Sequence, residues 1–199
     1  TGEHKPKLSE QHRLLAALME QLPAAHGYRQ NWMPELNNWL PFYWAGYSQS
    51  TRYTYRLDLS DNTDALWQQM EGRCRTAIRK GTSQSNLTVG TSRDVDDFWQ
   101  LIAHVFSRHG QDVPYSRALV DQILRAGTAQ KALTMYVARD AAGIAHAGAI
   151  VIHDQLRSYY ILGGTSEEHR DSGGMNVALW QAILEAHARG HRIFDFEGS

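Results

Sequence analysis

Three strand-forming segments follow one another along the chain with only short polar turns between them, at 132–139, 144–153 and 156–163. Turns this short join antiparallel neighbours and leave no room for the crossover that parallel strands need, so we expect an antiparallel meander. A glycine-containing loop then leads to a predicted helix at 175–189. The strand expected next, at 192–196, would lie parallel to the 156–163 strand after that helical crossover. The predicted fold class is therefore α/β, with a mixed sheet (α+β).

The residues before 132 are predicted to add helices and two more strands. Leucines at helical spacing predict a helix at 8–22, and an aromatic stretch without a regular period follows at 28–47. Alternation of residue types predicts strands at 52–59 and 86–90. Apolar positions predict three further helices: one through Leu66, Met70, Cys74 and Ile78, one behind residue 94, and one at 116–125.

Composition narrows the classes of function. The 199 residues carry a formal net charge of −1 and a single cysteine, Cys74. Proteins that hold nucleic acid by charge alone are normally basic, so any contact with nucleic acid is expected to be local. One cysteine excludes an internal disulfide and suits a reducing compartment. No apolar run approaches the ~20 residues of a membrane-spanning helix and no signal-peptide pattern is visible, so we expect a cytoplasmic protein without a membrane span.

Five segments together resemble one protein family. They are LPFYWAGY (40–47), YTYRLDLS (53–60), RCRTAIRKG (73–81), YYILGGTSEEHR (159–170) and RIFDFEGS (192–199). The chain resembles the FemAB-like branch of the GNAT (GCN5-related N-acetyltransferase) superfamily, whose members carry a "TY.LDL" strand, an "R..IRKA" helix, a "YY..GG" strand and a closing "FDF.GS". The resemblance implies a GNAT-like acyltransferase fold. It covers most of the chain from about residue 40, in the same order.

The resemblance also implies a domain organisation. Members of this branch usually carry two GNAT-like halves, and they continue past the "FDF.GS" motif. Residues 1–50 are therefore interpreted as the remnant of a preceding half with its connecting segment. Residues 51–199 are interpreted as a FemAB-like GNAT domain lacking its C-terminal strands, so the fold is expected to be incomplete at both ends.

The resemblance implies transfer of an acyl or aminoacyl group from an activated donor to an amine. FemAB proteins move an amino acid from aminoacyl-tRNA to the peptide of a peptidoglycan precursor, whereas many bacterial relatives are described as acyl-CoA-dependent acetyltransferases. We expect no permanently bound cofactor, acetyl-CoA or another acyl-CoA as co-substrate, and aminoacyl-tRNA as the alternative. The expected partners are a small-molecule or cell-envelope precursor as acceptor, tRNA in the alternative case, and a second copy in a homodimer. The competing hypothesis is a catalytically degenerate module that binds an envelope precursor.

The loop before the 175–189 helix resembles the Arg-x-x-Gly-x-Gly/Ala loop of GNAT enzymes, which holds the pyrophosphate of the donor. Free N–H groups and the positive end of a helix dipole attract phosphate, and glycine allows it to approach closely. The resemblance therefore implies donor binding by Arg170, Gly173, Gly174 and Asn176, although Met175 stands where a small residue is usual. The alternative is that the two glycines only turn the chain.

Direct attack of an amine on an acyl carbon requires a stabilised oxyanion and a protonated leaving group. We expect the backbone at Leu162, Gly163 and Gly164 to provide the oxyanion site, within the donor-binding region. Tyr159 or Tyr160 is expected to donate the proton. Neighbouring strand residues point to opposite faces, so the tyrosine that faces the core is expected to be structural instead.

Two more groups of charged residues are candidates. Asp195 and Glu197 are expected to share one face of the last strand, as a base or an orienting group for the amine, or else as a salt bridge or loop cap. A cationic helix end is expected either to clamp substrate phosphates or to be a solvated face. Its members are Arg73, Arg75, Arg79 and Lys80. We expect no metal, because Gly190 separates the histidine pair with helical spacing, His187 and His191.

Overall fold

The structure is a computed structural model that describes residues 7–108 and 110–198. Residues 1–6 of the predicted N-terminal remnant and Ser199 of the predicted closing motif lie outside the described residues. The chain divides into two compact units, Thr1–Thr51 and Arg52–Ser199. No helix among the described residues is long and apolar enough to cross a membrane.

The first unit is held by aromatic contacts. Helix α1 spans Leu8–Glu20 and a short helix α2 spans Leu40–Trp44. The ring of Phe42 contacts Trp32 and Tyr47 edge-to-face, at centroid distances of 5.1 and 5.3 Å. Among residues 7–51, only Pro41 is buried. Edge-to-face ring pairs, which are favourable arrangements of aromatic side chains, therefore organise the irregular aromatic stretch.

The second unit is built on a six-stranded mixed sheet. Its strands are β1 Thr54–Asp58, β2 Thr88–Ser92, β3 Leu133–Arg139, β4 Ala145–His153, β5 Arg157–Thr165 and β6 Ile193–Gly198, in the spatial order β1-β6-β5-β4-β3-β2. The pairs from β2 to β5 are antiparallel, β5 and β6 are parallel, and β1 lies antiparallel to β6 at the edge. The predicted meander and the parallel last strand are confirmed.

The helices of this unit agree with the sequence pattern except at one point. They are α3 Thr63–Gln69, α4 Gly72–Ser83, α5 Val95–Arg108, α6 Arg117–Ala129 and α7 Gly174–Ala188, with a 3-10 turn at Arg170–Ser172 before α7. The single helix predicted through Leu66 and Ile78 is wrong, because the backbone at Met70 is extended (ψ 142°) and separates α3 from α4. The guanidinium of Arg75 compensates by donating to the carbonyls of Gln68 and Met70, at 2.6 and 2.7 Å. These bonds satisfy acceptors that a helix end leaves open.

The sheet has a separate apolar core on each face. On one face, small residues let α7 approach closely: Ala178, Ala182 and Ala186 pack with Ala138, Val151 and Phe194. On the other face, Phe98 and Ile102 of α5 and Leu124 of α6 pack against Met135 and Ile150. Because both faces are covered, the sheet fixes the positions of α5 and α7 relative to β5.

A chain of polar side chains crosses the buried end of β4 and β5. The hydroxyl of Ser158 lies 2.9 Å from Nδ1 of His153 and 2.8 Å from Nδ1 of His191. Nε2 of His153 lies 3.1 Å from the hydroxyl of Thr134. Burial, with smaller contributions from the charges of Arg189 and His191, lowers the pKa of His153 to about 4. The histidine is therefore neutral in the folded protein at neutral pH.

This lowered pKa predicts a loss of stability in mild acid. Between the ordinary histidine pKa of ~6.5 and about 4, the unfolded chain binds a proton that the folded protein does not bind, so the free energy of unfolding falls as the pH falls. We expect His153→Gln, which retains hydrogen-bonding groups but cannot titrate, to remove about 1–3 kcal/mol of the decrease between pH 7 and pH 4. Urea unfolding at several pH values measures it.

The matched control is His26→Gln, which replaces an exposed histidine of the first unit. It should retain the pH dependence of the unaltered protein. If the free energy of unfolding of His153→Gln depended on pH as that of the unaltered protein does, protonation of His153 would not contribute to the pH dependence of stability.

Candidate active site

The parallel strands β5 and β6 separate part of the way along the sheet. They pair in register from Arg157↔Ile193 to Tyr159↔Asp195, and β5 then continues to Thr165 paired with β4 alone. Beyond Asp195, β6 remains paired with β1 as far as Thr54↔Gly198. The backbone groups of β5 that point away from β4 after Tyr159 consequently form an open edge. We define this open edge as residues 160–165.

A β-bulge lies at the start of the open edge. Val151 pairs with Tyr160 and Ile150 pairs with Leu162, so Ile161 is the extra residue. A bulge of this kind interrupts the ladder and bends the strand. It also changes which face the side chains take: Tyr160 packs against the α7-side core, and Leu162 packs against the α5-side core.

The N-terminus of α7 lies beside the open edge. A Cβ atom added at Gly163 would overlap the hydroxyl of Tyr160 and lie 2.9 Å from Cε of Met175. The hydroxyl oxygen of Tyr160 is 3.8 Å from the sulfur of Met175. The first N–H groups of a helix have no acceptor within it. The start of α7 at Gly174 therefore brings such donors, and the positive end of a helix dipole, next to β5.

Glycines make this close packing possible. Gly173 has φ +83°, and a Cβ there would overlap the carbonyl oxygen of Ala77 in α4. A Cβ at Gly164 would lie 2.5 Å from the backbone of Leu101 in α5. The sequence left two roles open for the glycines of this loop, binding of phosphate and turning of the chain. The conformation of Gly173 fits the turning role. At Gly174 the N–H donates to the hydroxyl of Ser172 over a long 3.3 Å, and a phosphate-binding role stays a prediction. Arg170 is exposed in the 3-10 turn, and Asn176 is half-buried in the first turn of α7.

The two tyrosines differ in what their hydroxyls contact. Tyr159 donates to a carboxylate oxygen of Asp154 at 2.9 Å, at the β4–β5 turn and away from the open edge. Tyr160 faces the core, yet its hydroxyl reaches the N-terminus of α7. Burial raises the pKa of Tyr160, and burial followed by Asp154 raises the pKa of Tyr159. The expectation that the core-facing tyrosine is only structural therefore does not fit Tyr160, whose hydroxyl lies beside α7.

The two acidic candidates do not share one face. Asp195 is buried, accepts a hydrogen bond from the hydroxyl of Thr54 and another from the N–H of Glu197 at 2.9 Å, and lies 3.7 Å from Nε of Arg56. Glu197 has φ +56° and is exposed. The strict alternation predicted for this strand is wrong, because the register between β1 and β6 shifts between Thr54 and Arg56. Asp195 acts as an ion-pair partner and loop cap, and Glu197 is the more accessible carboxylate.

The four cations of α4 do not form one solvated cluster. Arg75 donates to backbone carbonyls at the end of α3, and the guanidinium of Arg79 lies 5.5 Å from the ring centroid of Trp67. Arg73 pairs with Glu71 at 2.6 Å, and Lys80 is exposed. The expectation that Arg75 belongs to a solvated surface is wrong, because its donors are used within the protein. A phosphate clamp stays a prediction for Arg73, Arg79 and Lys80.

Two histidines near the start of α7 were missed by the sequence analysis. His146 is buried, its Nε2 lies 3.3 Å from a carboxylate oxygen of Asp140, and its ring stacks on His169 at 4.0 Å. A Cβ at Gly174 would lie 3.1 Å from Cβ of His146. The bulge between β3 and β4 beside Ala145 orients His146, and a bulge leaves no periodic signal in one sequence. Within residues 7–108 and 110–198, no three histidine, cysteine or acidic side chains lie close enough to hold a metal ion.

Comparisons with known proteins agree with this architecture. The sequence profile of the family described as "Acetyltransferase (GNAT) domain" matches residues 68–199. No protein with a curated description matches the sequence.

Solved structures share the fold at low sequence identity. FemX superposes with a TM-score of 0.63 at 16% identity, over 73% of this chain and 52% of FemX. L-PGS from Bacillus licheniformis gives a TM-score of 0.51 at 10% identity, over 73% of this chain and 46% of that protein. The C-terminal domain of a candidate lysylphosphatidylglycerol synthetase from Agrobacterium fabrum gives a TM-score of 0.50 at 15% identity, over 73% of this chain and 46% of that protein. The chain thus spans about half the length of these structures.

The different contacts of the two α4 arginines predict different effects on stability. Arg75→Gln removes charged donors from the carbonyls that end α3, so we expect the free energy of unfolding to fall by about 2 kcal/mol. Arg79→Gln removes only an exposed contact with Trp67, and we expect a loss of at most about 1 kcal/mol. Denaturant unfolding of both variants measures the difference. Equal, small losses would show that the bonds of Arg75 contribute nothing to the end of α3.

Proposed function

Because the chain belongs to the GNAT acetyltransferase family, we propose that the unit Arg52–Ser199 transfers an acyl group from an acyl-CoA donor to an amine. The observation that carries the proposal is the open edge of β5 beside the N-terminus of α7. An extended donor can pair with unpaired strand groups as an added strand would, while its phosphates meet the N–H groups of the helix. One short region thus offers both kinds of contact that an acyl-CoA requires.

The proposed reaction is direct transfer. The nitrogen of the amine attacks the thioester carbon, the carbonyl oxygen becomes an oxyanion, and the carbon–sulfur bond breaks to release the thiolate. We assign the oxyanion to backbone N–H groups at Leu162, Gly163 and Gly164, on the open edge next to the bulge. Tyr160, whose pKa is raised by burial, donates a proton to the leaving sulfur, the attacking amine loses a proton, and transfer of that proton back to the tyrosinate leaves an amide and a thiol as products. Glu197 is the carboxylate that we assign to accepting that proton or orienting the amine.

The donor is proposed from charge and geometry. The formal net charge of −1 favours a small donor over a whole tRNA, because tRNA binding draws much of its affinity from neutralised phosphates. Aminoacyl-tRNA is the alternative donor, which the resemblance to FemAB proteins favours. One structural neighbour, a candidate lysylphosphatidylglycerol synthetase, has an aminoacyl (lysyl) group in its name. The proposed acceptor is an amine on a cell-envelope or peptidoglycan precursor, in the bacterial cytoplasm.

A second candidate function is precursor binding without catalysis. Met175 occupies the position where GNAT loops usually have a small residue, and its Cε lies within contact distance of the open edge at Gly163. A side chain in that place narrows the room for a thioester. A binding module would retain affinity for an envelope precursor and show no turnover with acetyl-CoA.

The paired tyrosines provide the test of catalysis. Tyr160→Phe removes the hydroxyl next to the N-terminus of α7, so we expect the kcat for acetyl transfer to an amine to fall about 100-fold. Tyr159→Phe removes a hydroxyl that is bound to Asp154 away from the open edge, so kcat should stay near that of the unaltered protein. Release of free CoA thiol, measured with a panel of amines, reports the rate.

Three results would count against the assignments. Equal rates in Tyr160→Phe and the unaltered protein would remove the role of Tyr160 as proton donor. Absence of thiol release in the unaltered protein, together with saturable binding of a precursor, would favour the binding module. Turnover with aminoacyl-tRNA alone would replace the proposed donor.

A further inference from the structure

A cavity lies at the opposite end of α7 from the open edge. It has a volume of about 260 Å³ and is formed by the end of β2, the start of β3 and the C-terminal ends of α6 and α7. Helix α7 is 15 residues long, so at 1.5 Å per residue its two ends are roughly 20 Å apart. A ligand in this cavity would therefore not occupy the donor position.

The side chains around the cavity favour an anion. Arg93, Lys131 and Arg189 line it and are exposed, whereas Glu185 is the only carboxylate in its lining. That carboxylate already accepts a hydrogen bond from the buried hydroxyl of Tyr136 at 2.9 Å. The ion pairs found within the described residues include none of the three cations. With three cations and one carboxylate, the lining thus carries a net charge of about +2.

The lining also includes residues that can bind phosphate oxygens. Thr91, Thr128 and Thr134 line the cavity, and Arg189 donates to the hydroxyl of Thr134 at 3.3 Å. Leu133 and Met135 also line the cavity, but both residues are buried in the core on the α5 side of the sheet, so little of either is open to a ligand. Guanidinium groups bind phosphate oxygens in pairs, and hydroxyls can donate to the oxygens that remain.

The backbone conformation at Lys131 is unusual for a lysine. Lys131 has φ +56°, directly after the C-terminal end of α6, where its N–H donates to the carbonyl of Thr128 at 3.0 Å. Glycine is the usual residue at such a helix end, because a side chain in the left-handed region costs free energy. A lysine placed in an unfavourable conformation and lining a cationic cavity indicates a role for its charge.

We propose that this cavity binds a small phosphate monoester, with the phosphate held by Arg93, Lys131 and Arg189 and the organic group toward the mouth of the cavity. The net charge matches a phosphate dianion better than a single carboxylate. The assignment is independent of acyl transfer at the open edge. It adds a ligand site at the end of α7 that is remote from the donor.

Calorimetric titration of the whole chain with phenyl phosphate tests the assignment, with benzoate as a ligand that carries the same ring and only one charge. We expect saturable binding of phenyl phosphate at low salt and at least tenfold weaker binding of benzoate. Lys131→Gly should weaken phenyl phosphate binding at least tenfold without lowering Tm, because glycine suits the left-handed backbone. Arg93→Gln should have a similar effect on affinity, and Arg108→Gln, at the exposed end of α5, serves as the charge-matched control.

The NMR resonances of His153 report where the ligand binds. Thr134 links Arg189 to His153, so phosphate at Arg189 should shift the imidazole NMR resonances of His153. Acetyl-CoA affinity of Lys131→Gly should equal that of the unaltered protein. Failure to bind phenyl phosphate, equal affinity for benzoate, or equal losses in Lys131→Gly and Arg108→Gln would each overturn the proposal.

Discussion

The separation of β5 from β6 after Tyr159↔Asp195 is the constraint on which the candidate site depends. Pairing of β6 with β1 holds one side of the gap, and pairing of β5 with β4 holds the other. The two strands diverge here while each keeps its other partner, so the gap opens without either strand leaving the sheet. The open edge is therefore maintained by the sheet itself, and the bulge at Ile161 turns Tyr160 toward α7 at the place where the edge begins.

Close packing against glycines positions the helix that completes the site. A Cβ at Gly173 would collide with α4, and a Cβ at Gly164 would collide with α5, so both helices approach more closely than other residues would allow. A Cβ at Gly81 of α4 would lie 2.5 Å from the side chain of Val177 in α7. The start of α7 is thus located by contacts on several sides. Such fixed placement of N–H donors is what a donor-binding and oxyanion site requires.

The antiparallel meander, the parallel last strand and the element order around them could be predicted from the sequence, because hydrophobic periodicity and turn length determine them. The sequence pattern does not show the break at Met70, since the four-residue apolar spacing continues through it while the side chain of Arg75, in the following helix, bonds to the end of α3. The sequence indicated candidate site residues but not the distances between them or the directions of their side chains. The bulges that orient Tyr160 and His146 arise from strand pairing, which is a tertiary property and leaves no periodic signal.

The central claim is that N–H groups at the start of α7 hold the donor, and a pair of variants at Gly174 tests it most directly. Gly174→Ala and Gly174→Pro introduce the same Cβ, close to His146 and Ala147, but only proline removes the N–H. Proline is tolerated in the first helical position, so the helix should persist. Titration with acetyl-CoA should show at least tenfold weaker binding to Gly174→Pro than to Gly174→Ala. Equal affinities of the two variants would contradict the account and place the donor elsewhere.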